Sequence, residues 1–170
     1  MADNRPAYVQ KDCTLFVDKH ARIGQCSEIT VPVLQETVET MRNAGMVKGR
    51  EIMMGYEATT ASFKETALDP KMLKLYGLGP GSATPIIAYA YLEDEDGLEH
   101  TVRCEMECRI KTIDMGAWAP GQKAETQYDL ANHAGRLFID DEEIFAWSDL
   151  EVSVAGQVRQ PGRRTALRIG

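Results

Sequence analysis

The sequence predicts an all-β domain with one short α-helix, on three observations. Residues 101–113 alternate apolar and charged side chains with a period of two. Several other segments are rich in β-branched and aromatic residues and are bounded by Gly, Pro and Asp. Only one stretch, LDPKMLKLYG, carries both a helix start and a helix stop signal.

In chain order, residues 13–31 read as two short strands about a turn near Asp18 to His20, a hairpin. Residues 32–50 lose the apolar signal and contain Asn43, Gly45 and Gly49, which predicts a long connecting loop with a task of its own. Strand composition returns over 51–67. The helix is placed at 69–76, with Asp69 as cap, Pro70 in the first turn and Gly77 as terminator. So short a helix must be held by packing, for which Leu68, Met72, Leu73 and Tyr76 are the expected contacts. Residues 86–92 and 101–113 form the clearest strand pair, with Val102, Cys104, Met106, Cys108 and Ile110 inward and Arg103, Glu105, Glu107, Arg109 and Lys111 outward. Residues 122–130 repeat the pattern, with Lys123, Glu125, Gln127 and Asp129 on the wet side. Residues 136–147 read as a tight hairpin over an acidic tip, and residues 156–170 form a basic tail with Arg159, Arg163, Arg164 and Arg168 and no acid. Glu93 to Glu107, with seven acids, is a complement for that tail in contacts between subunits.

At 170 residues the chain is sized for a single domain spanning 1–170. No apolar run approaches the ~20 residues of a membrane span, and MADNRPAYVQKDC lacks the apolar core of a signal peptide, so no membrane anchor and a cytosolic origin are expected. A net charge of −7 argues against tight sequence-independent binding to nucleic acid, which draws on Lys and Arg.

No catalytic constellation is present, and no cofactor is implied. His20 and His133 have no nucleophile at a recognisable spacing, and GLGPG at residues 77–81 lacks the spacing of a phosphate loop. His100, Cys104 and Cys108 are the residue types of a zinc site. On a strand, however, positions four apart lie ~13 Å from one another, too far for one metal ion or for a disulfide. Cys13 and Cys26 differ: they fall on facing arms of the first hairpin, opposite or offset by two according to the turn.

LFVDKHARIGQ, TVPVLQETVETMRNAGM, ASFKETALDPKMLKLYG, IDMGAWAPGQKAETQYDLA and an acidic hairpin followed by a basic end in RIG occur in this order. In order and spacing they resemble the major tail tube proteins of contractile-tailed bacteriophages and related phage-tail-like bacteriocins. ETMRNAGM and IDMGAWAPGQKAETQY carry most of the specificity. Lys19 and Asp141 stand at turn positions where that family often has Gly, which leaves the hairpin registers open.

The resemblance implies a β-sandwich or barrel-like subunit with a flanking helix, assembled as hexameric rings stacked into the inner tube of a virion tail. Such a tube is assembled in the host cytoplasm. Its expected partners are further copies of itself, the tail sheath protein, and the tape measure and baseplate proteins. Genomic DNA passes through transiently, and the tube pierces the host envelope when the sheath contracts. Because a virion meets an oxidising exterior, the resemblance also makes Cys13 and Cys26 the candidates for disulfides formed after release, within the subunit or to a neighbour or the sheath. The 32–50 loop would join rings, with Glu39, Met41, Arg42, Asn43 and Met46 as contact residues. The lumen wall would be Arg103, Glu105, Glu107, Arg109, Lys123, Glu125, Gln127 and Asp129, a wet, weakly acidic surface without stacking platforms. Six subunits giving four strands each make a cylinder roughly 37 Å across at ~4.8 Å per strand, wide enough for duplex DNA. The alternatives are a DNA-free bacteriocin tube and a monomeric β-sandwich binding module, on which the same charged faces are merely solvated.

Overall fold

The computed structural model describes residues 7–76 and 81–169. Strand β1 (Val9–Val17) turns back through Asp18 and Lys19 into β2 (His20–Ala21), with Val17 opposite His20. Both turn residues have positive φ, 45° and 68°, the left-handed pair that a two-residue hairpin demands, here met without glycine. The expected hairpin stops there. Arg22 is buried and bends the chain away, its Nε donating to Glu65 Oε1 at 2.6 Å and its guanidinium pairing with Asp69 at 2.8 Å. Strand β3 (Cys26–Thr30) therefore pairs elsewhere. Cys13 lies opposite Ala90 and Cys26 opposite Glu65, so the two cysteines are not cross-strand partners, and all four thiols are free.

The stretch predicted as a loop is built otherwise. Strands β4 (Glu36–Met41) and β5 (Arg50–Tyr56) form an antiparallel hairpin and a two-stranded sheet of their own. Asn43 and Gly45 make its turn, with Gly45 at φ 86° and Met46 N–H donating to Asn43 O. The turn residues that look like interruptions are the hairpin's tip.

Strand β6 (Thr60–Glu65) leads into α1 (Pro70–Leu73), capped as predicted by Asp69, whose carboxylate accepts from Lys71 N–H at 2.8 Å. The expected packing is corrected: Met72 is buried and Leu73 packs on the core, but Leu68 and Tyr76 are exposed. A four-residue helix resting on a curved sheet brings only one stripe inward. The expected terminator Gly77, like Gly79 of the GLGPG segment, lies outside the described residues.

Strands β7 (Thr84–Glu93) and β8 (Glu99–Asp114) pair along their length, and β9 (Thr126–Ile139) follows. The second alternating strand thus begins at Thr126, not residue 122, and Lys123 and Glu125 fall in the loop before it. Asp140 and Asp141, at φ 51° and 64°, make the acidic two-residue turn into β10 (Glu142–Trp147), and β11 (Val152–Val154) and β12 (Gln157–Val158) complete the edge. The basic tail holds a second, unexpected helix, α2 (Pro161–Leu167), with Pro161 in its first turn and left-handed Arg168 at its end.

The main sheet runs β12-β11-β10-β9-β8-β7-β1-β2. Strand β9, 14 residues long, divides its other edge: Thr126–Ala131 pairs with β6, which carries β3, and Gly135–Ile139 pairs with β10. The sheet curls until β1 meets β3, a barrel-like closure around Leu15, Val17, Phe63, Met106, Ile110, Tyr128 and Leu130. Phe63 and Tyr128, opposite one another across the ladder, stack with centroids 4.7 Å apart. One dominant antiparallel sheet is the fold class that the residue patterns predict, with a second short helix added to the one expected.

Candidate functional site

The outward face of β8 and β9 gathers six of the eight predicted wall residues. Arg103, Glu105, Glu107 and Arg109 alternate with buried Cys104, Met106, Cys108 and Ile110 on β8, and Gln127 and Asp129 alternate with buried Thr126, Tyr128 and Leu130 on β9. The register joins them, with Thr112 opposite Asp129 and Asp114 opposite Gln127. Lys123 and Glu125 are exposed in the preceding loop and are not part of this strand face.

Sequence reasoning missed Arg136, Lys64 and Glu28. Arg136 lies opposite Glu105, while Lys64 lies opposite both Gln127 and Glu28. The ladder skips His133, so outward positions change from odd numbers (127, 129, 131) to even ones (134, 136, 138), and a fixed period of two puts Arg136 on the wrong side. A second skip at Lys111 keeps Ile113 turned to the core.

Charges on this face are interleaved. Lys64 Nζ lies 2.8 Å from Glu28 Oε2 and Arg103 Nε 3.2 Å from Glu105 Oε1, while Arg136 approaches Glu143 at 4.0 Å. Glu28 holds the Lys64 ammonium pKa above its ordinary value. Such exposed pairs add little stability, but they cancel one another's field. Arg103, Arg109, Arg136 and Lys64 are matched by Glu28, Glu105, Glu107, Asp114 and Asp129, so the face carries no net positive charge. Aromatic rings are nevertheless present. Phe138 lies under the Arg103 guanidinium at 4.4 Å, and Tyr89 packs edge-on against Phe16. These rings are engaged within the subunit.

The β4–β5 hairpin is the second surface. None of its strands pairs with the main sheet, and Val38, Met41, Val47, Ile52, Met54 and Tyr56 are all exposed on it. Glu39 and Met41 lie on β4, whereas Arg42, Asn43 and Met46 form the tip, where Arg42 Nε donates to Met46 O at 3.1 Å. A groove of 570 Å³ separates the hairpin's base from α2, lined by Tyr56, Trp147, Val158 and Arg163 among others.

The remaining candidates are used locally. His100 faces Asp94 and Asp140 rather than a thiol. Among the described residues no cluster of three or more His, Cys, Asp or Glu is placed to hold a metal ion. In the basic tail, Arg164 pairs with Glu151 at 3.0 Å and Arg163 donates to Leu150 O, so within the chain that helix is anchored to the loop after β10.

Comparison with known proteins gives this arrangement a family. Residues 9–166 match the family described as Phage tail tube protein FII. The tail tube protein of Escherichia phage P2 is 27% identical over 135 residues, covering 76% of this chain and 78% of that protein. A chain in the cryo-EM structure of the anti-feeding prophage baseplate, 6-fold symmetrised, is similar with a TM-score of 0.47 and 14% identity over 74% of this chain and 90% of that one, too distant to bear on function. With a family match spanning nearly its whole length, this chain belongs to the phage tail tube protein FII family, and is a structural, non-enzymatic component of the virion's tail.

Proposed function

We propose that the chain works as a self-assembling conduit, in which hexameric rings stack into the inner tube of a contractile tail. The observation that carries this reading is the β4–β5 hairpin. A two-stranded sheet is marginal alone in water. This one exposes apolar residues on both sides, Val38 on one and Met41 and Ile52 on the other. Such a surface is completed by burial against another copy, which is how rings are joined.

The weakly acidic, ion-paired face of β8, β9, β6 and β3 supports the role of lumen wall. A conduit for DNA must not release counterions from the phosphates, and interleaved acids and bases do not. Among the described residues, the first six residues of β1 and the short β12 leave free strand edges on opposite sides of the sheet, where neighbours in a ring would meet. Leu68 and Trp118, 41% and 71% exposed, form a further apolar patch for contacts along the tail. The sheath protein around this tube, and the tape measure and baseplate proteins at its ends, complete the set of partners. Contraction of the sheath drives the tube through the host envelope, and DNA passes along its axis.

The hairpin tests the reading. In Val38→Asp/Ile52→Asp, electron microscopy should show rings without tubes, and native mass spectrometry should find the ring mass retained. Tubes of normal length from this variant would remove the hairpin from the mechanism, and a wild-type chain that is monomeric at every concentration would remove the conduit itself.

A further inference from the structure

His100 lies where the acidic turn between β7 and β8 meets the one between β9 and β10. Its Nδ1 is 2.7 Å from Asp140 Oδ2, and its Nε2 is 3.4 Å from Asp94 Oδ2. Both carboxylates are held in place by the backbone. Asp94 Oδ1 accepts from the N–H groups of Asp96 and Leu98, at 2.9 and 2.8 Å, and Asp140 Oδ1 accepts from Thr101 N–H at 3.0 Å. A neutral imidazole has one N–H and one lone pair, so it would turn that lone pair toward one of the two carboxylates. Only the imidazolium donates to both.

The ring also carries a load. Tyr8 stacks on it, with centroids 4.0 Å apart and planes 19° from parallel, and a cation holds an aromatic face better than a neutral ring does. Tyr8 is the residue before β1, whose first residues, among the described residues, have only β7 as a strand neighbour. That pairing is interrupted between Gln10 and Asp12, and Val9 to Cys13 are exposed. Across β7, His100 faces the apolar Leu92, while Glu99 on the opposite face of β8 is engaged by Tyr91 Oη. The charged groups that act on the ring are therefore Asp140 and Asp94.

We propose that His100 is a pH-operated clasp: protonated, it ties the two acidic turns together and holds Tyr8 and the start of β1 against the barrel; deprotonated, it lets that strand end go. The clasp belongs to the single chain and is independent of the tube reading. Asp140, against the opposing effect of partial burial and with the help of Asp94, holds the imidazole above its ordinary 6.5. Burial works to raise Asp94, but the Leu98 amide and His100 prevail and keep it below its ordinary 3.8. Asp140 is held down by the Thr101 amide and then by His100. A raised histidine stabilises fully below 6.5 and loses its contribution as pH rises through the folded value; the two depressed carboxylates contribute above 3.8 and fail as pH falls through theirs. The clasp is thus closed between those ordinary values and opens on the alkaline side.

Imidazole NMR titration of the full chain, combined with amide exchange at Val9 to Asp12 corrected for intrinsic rates, tests this. The expected result is a His100 midpoint above 6.5, lowered in Asp140→Asn, which keeps an oxygen for Thr101 N–H. Protection of Val9 to Asp12 should fall severalfold across that midpoint, and His100→Gln should abolish the step. A midpoint at or below 6.5, or protection that is unchanged across the midpoint, overturns the proposal. Should His100→Gln fail to fold, Asp140→Asn decides alone, because the exchange step must move with the histidine's midpoint.

Discussion

Gly135 sits where β9 passes under Trp147. A Cβ there would lie 2.8 Å from Glu105 O and deeper still in the indole, so no side chain fits without moving the ring or the β8 backbone. Trp147 has little freedom to yield. It is 7% exposed, and its Nε1 donates to buried Asn132 Oδ1, whose amide nitrogen in turn donates to Ala134 O at 3.0 Å. Gly135→Ala should therefore cost about 1–3 kcal/mol, as overpacking does, read as a lower urea midpoint. The cysteines follow the same logic of environment. Burial pushes Cys104 up to about 12, and Cys26 and Cys108 to about 11. Since the thiolate is the reactive form, these three should resist iodoacetamide in the folded chain, leaving exposed Cys13 as the first site labelled. Peptide mass spectrometry over a time course checks that order. Cys13 is accordingly the thiol best placed for any cross-link to a neighbour.

Among the elements, β8 was the most legible because it is paired along its length on both sides and its own alternation is unbroken from Cys104 to Ile110, so that one periodic face stays buried there. Strand β9 was misjudged at both ends. The skip at His133 resets its alternation, and a bulge is set by the fit between two strands rather than by local composition. Strand β4 was missed for another reason: it has no buried face, so it lacks the apolar alternation by which strands are recognised, whereas β5 falls within the 51–67 stretch of strand composition. Helix α2 likewise buries no residue completely. The wall face carries its own prediction. Reversing Glu105, Glu107 and Asp129 to Lys should leave the subunit folded, since all three point outward, but should make the lumen cationic. Assembled tubes of the triple variant should retain DNA at about 50 mM salt and release it near 200 mM, where wild-type tubes retain none at either. Equal behaviour of the two in a DNA retention assay would place those residues off the lumen.

Across the whole molecule, the pattern of charge and the pattern of pairing have different origins. Acids gather at the β7–β8 and β9–β10 turns because tight turns accept Asp, including the left-handed pair Asp140 and Asp141. The antiparallel ladder then carries both turns to the same end of the barrel, where His100 meets them. By itself the sequence determined the class of the fold, the wet and dry sides of β8, the cap and first turn of α1, and the family, all of which rest on local spacing or on ordered landmarks. Only the tertiary structure decided that β9 serves β6 and β10 at once, that the 36–56 segment stands apart as an unpartnered hairpin, that Arg22 reaches Glu65 and Asp69, and that Gly135 must have no side chain. Those features depend on which strands become neighbours. That choice is made by burying a common core around Phe63, Tyr128 and Ile110, through contacts between residues far apart in the chain.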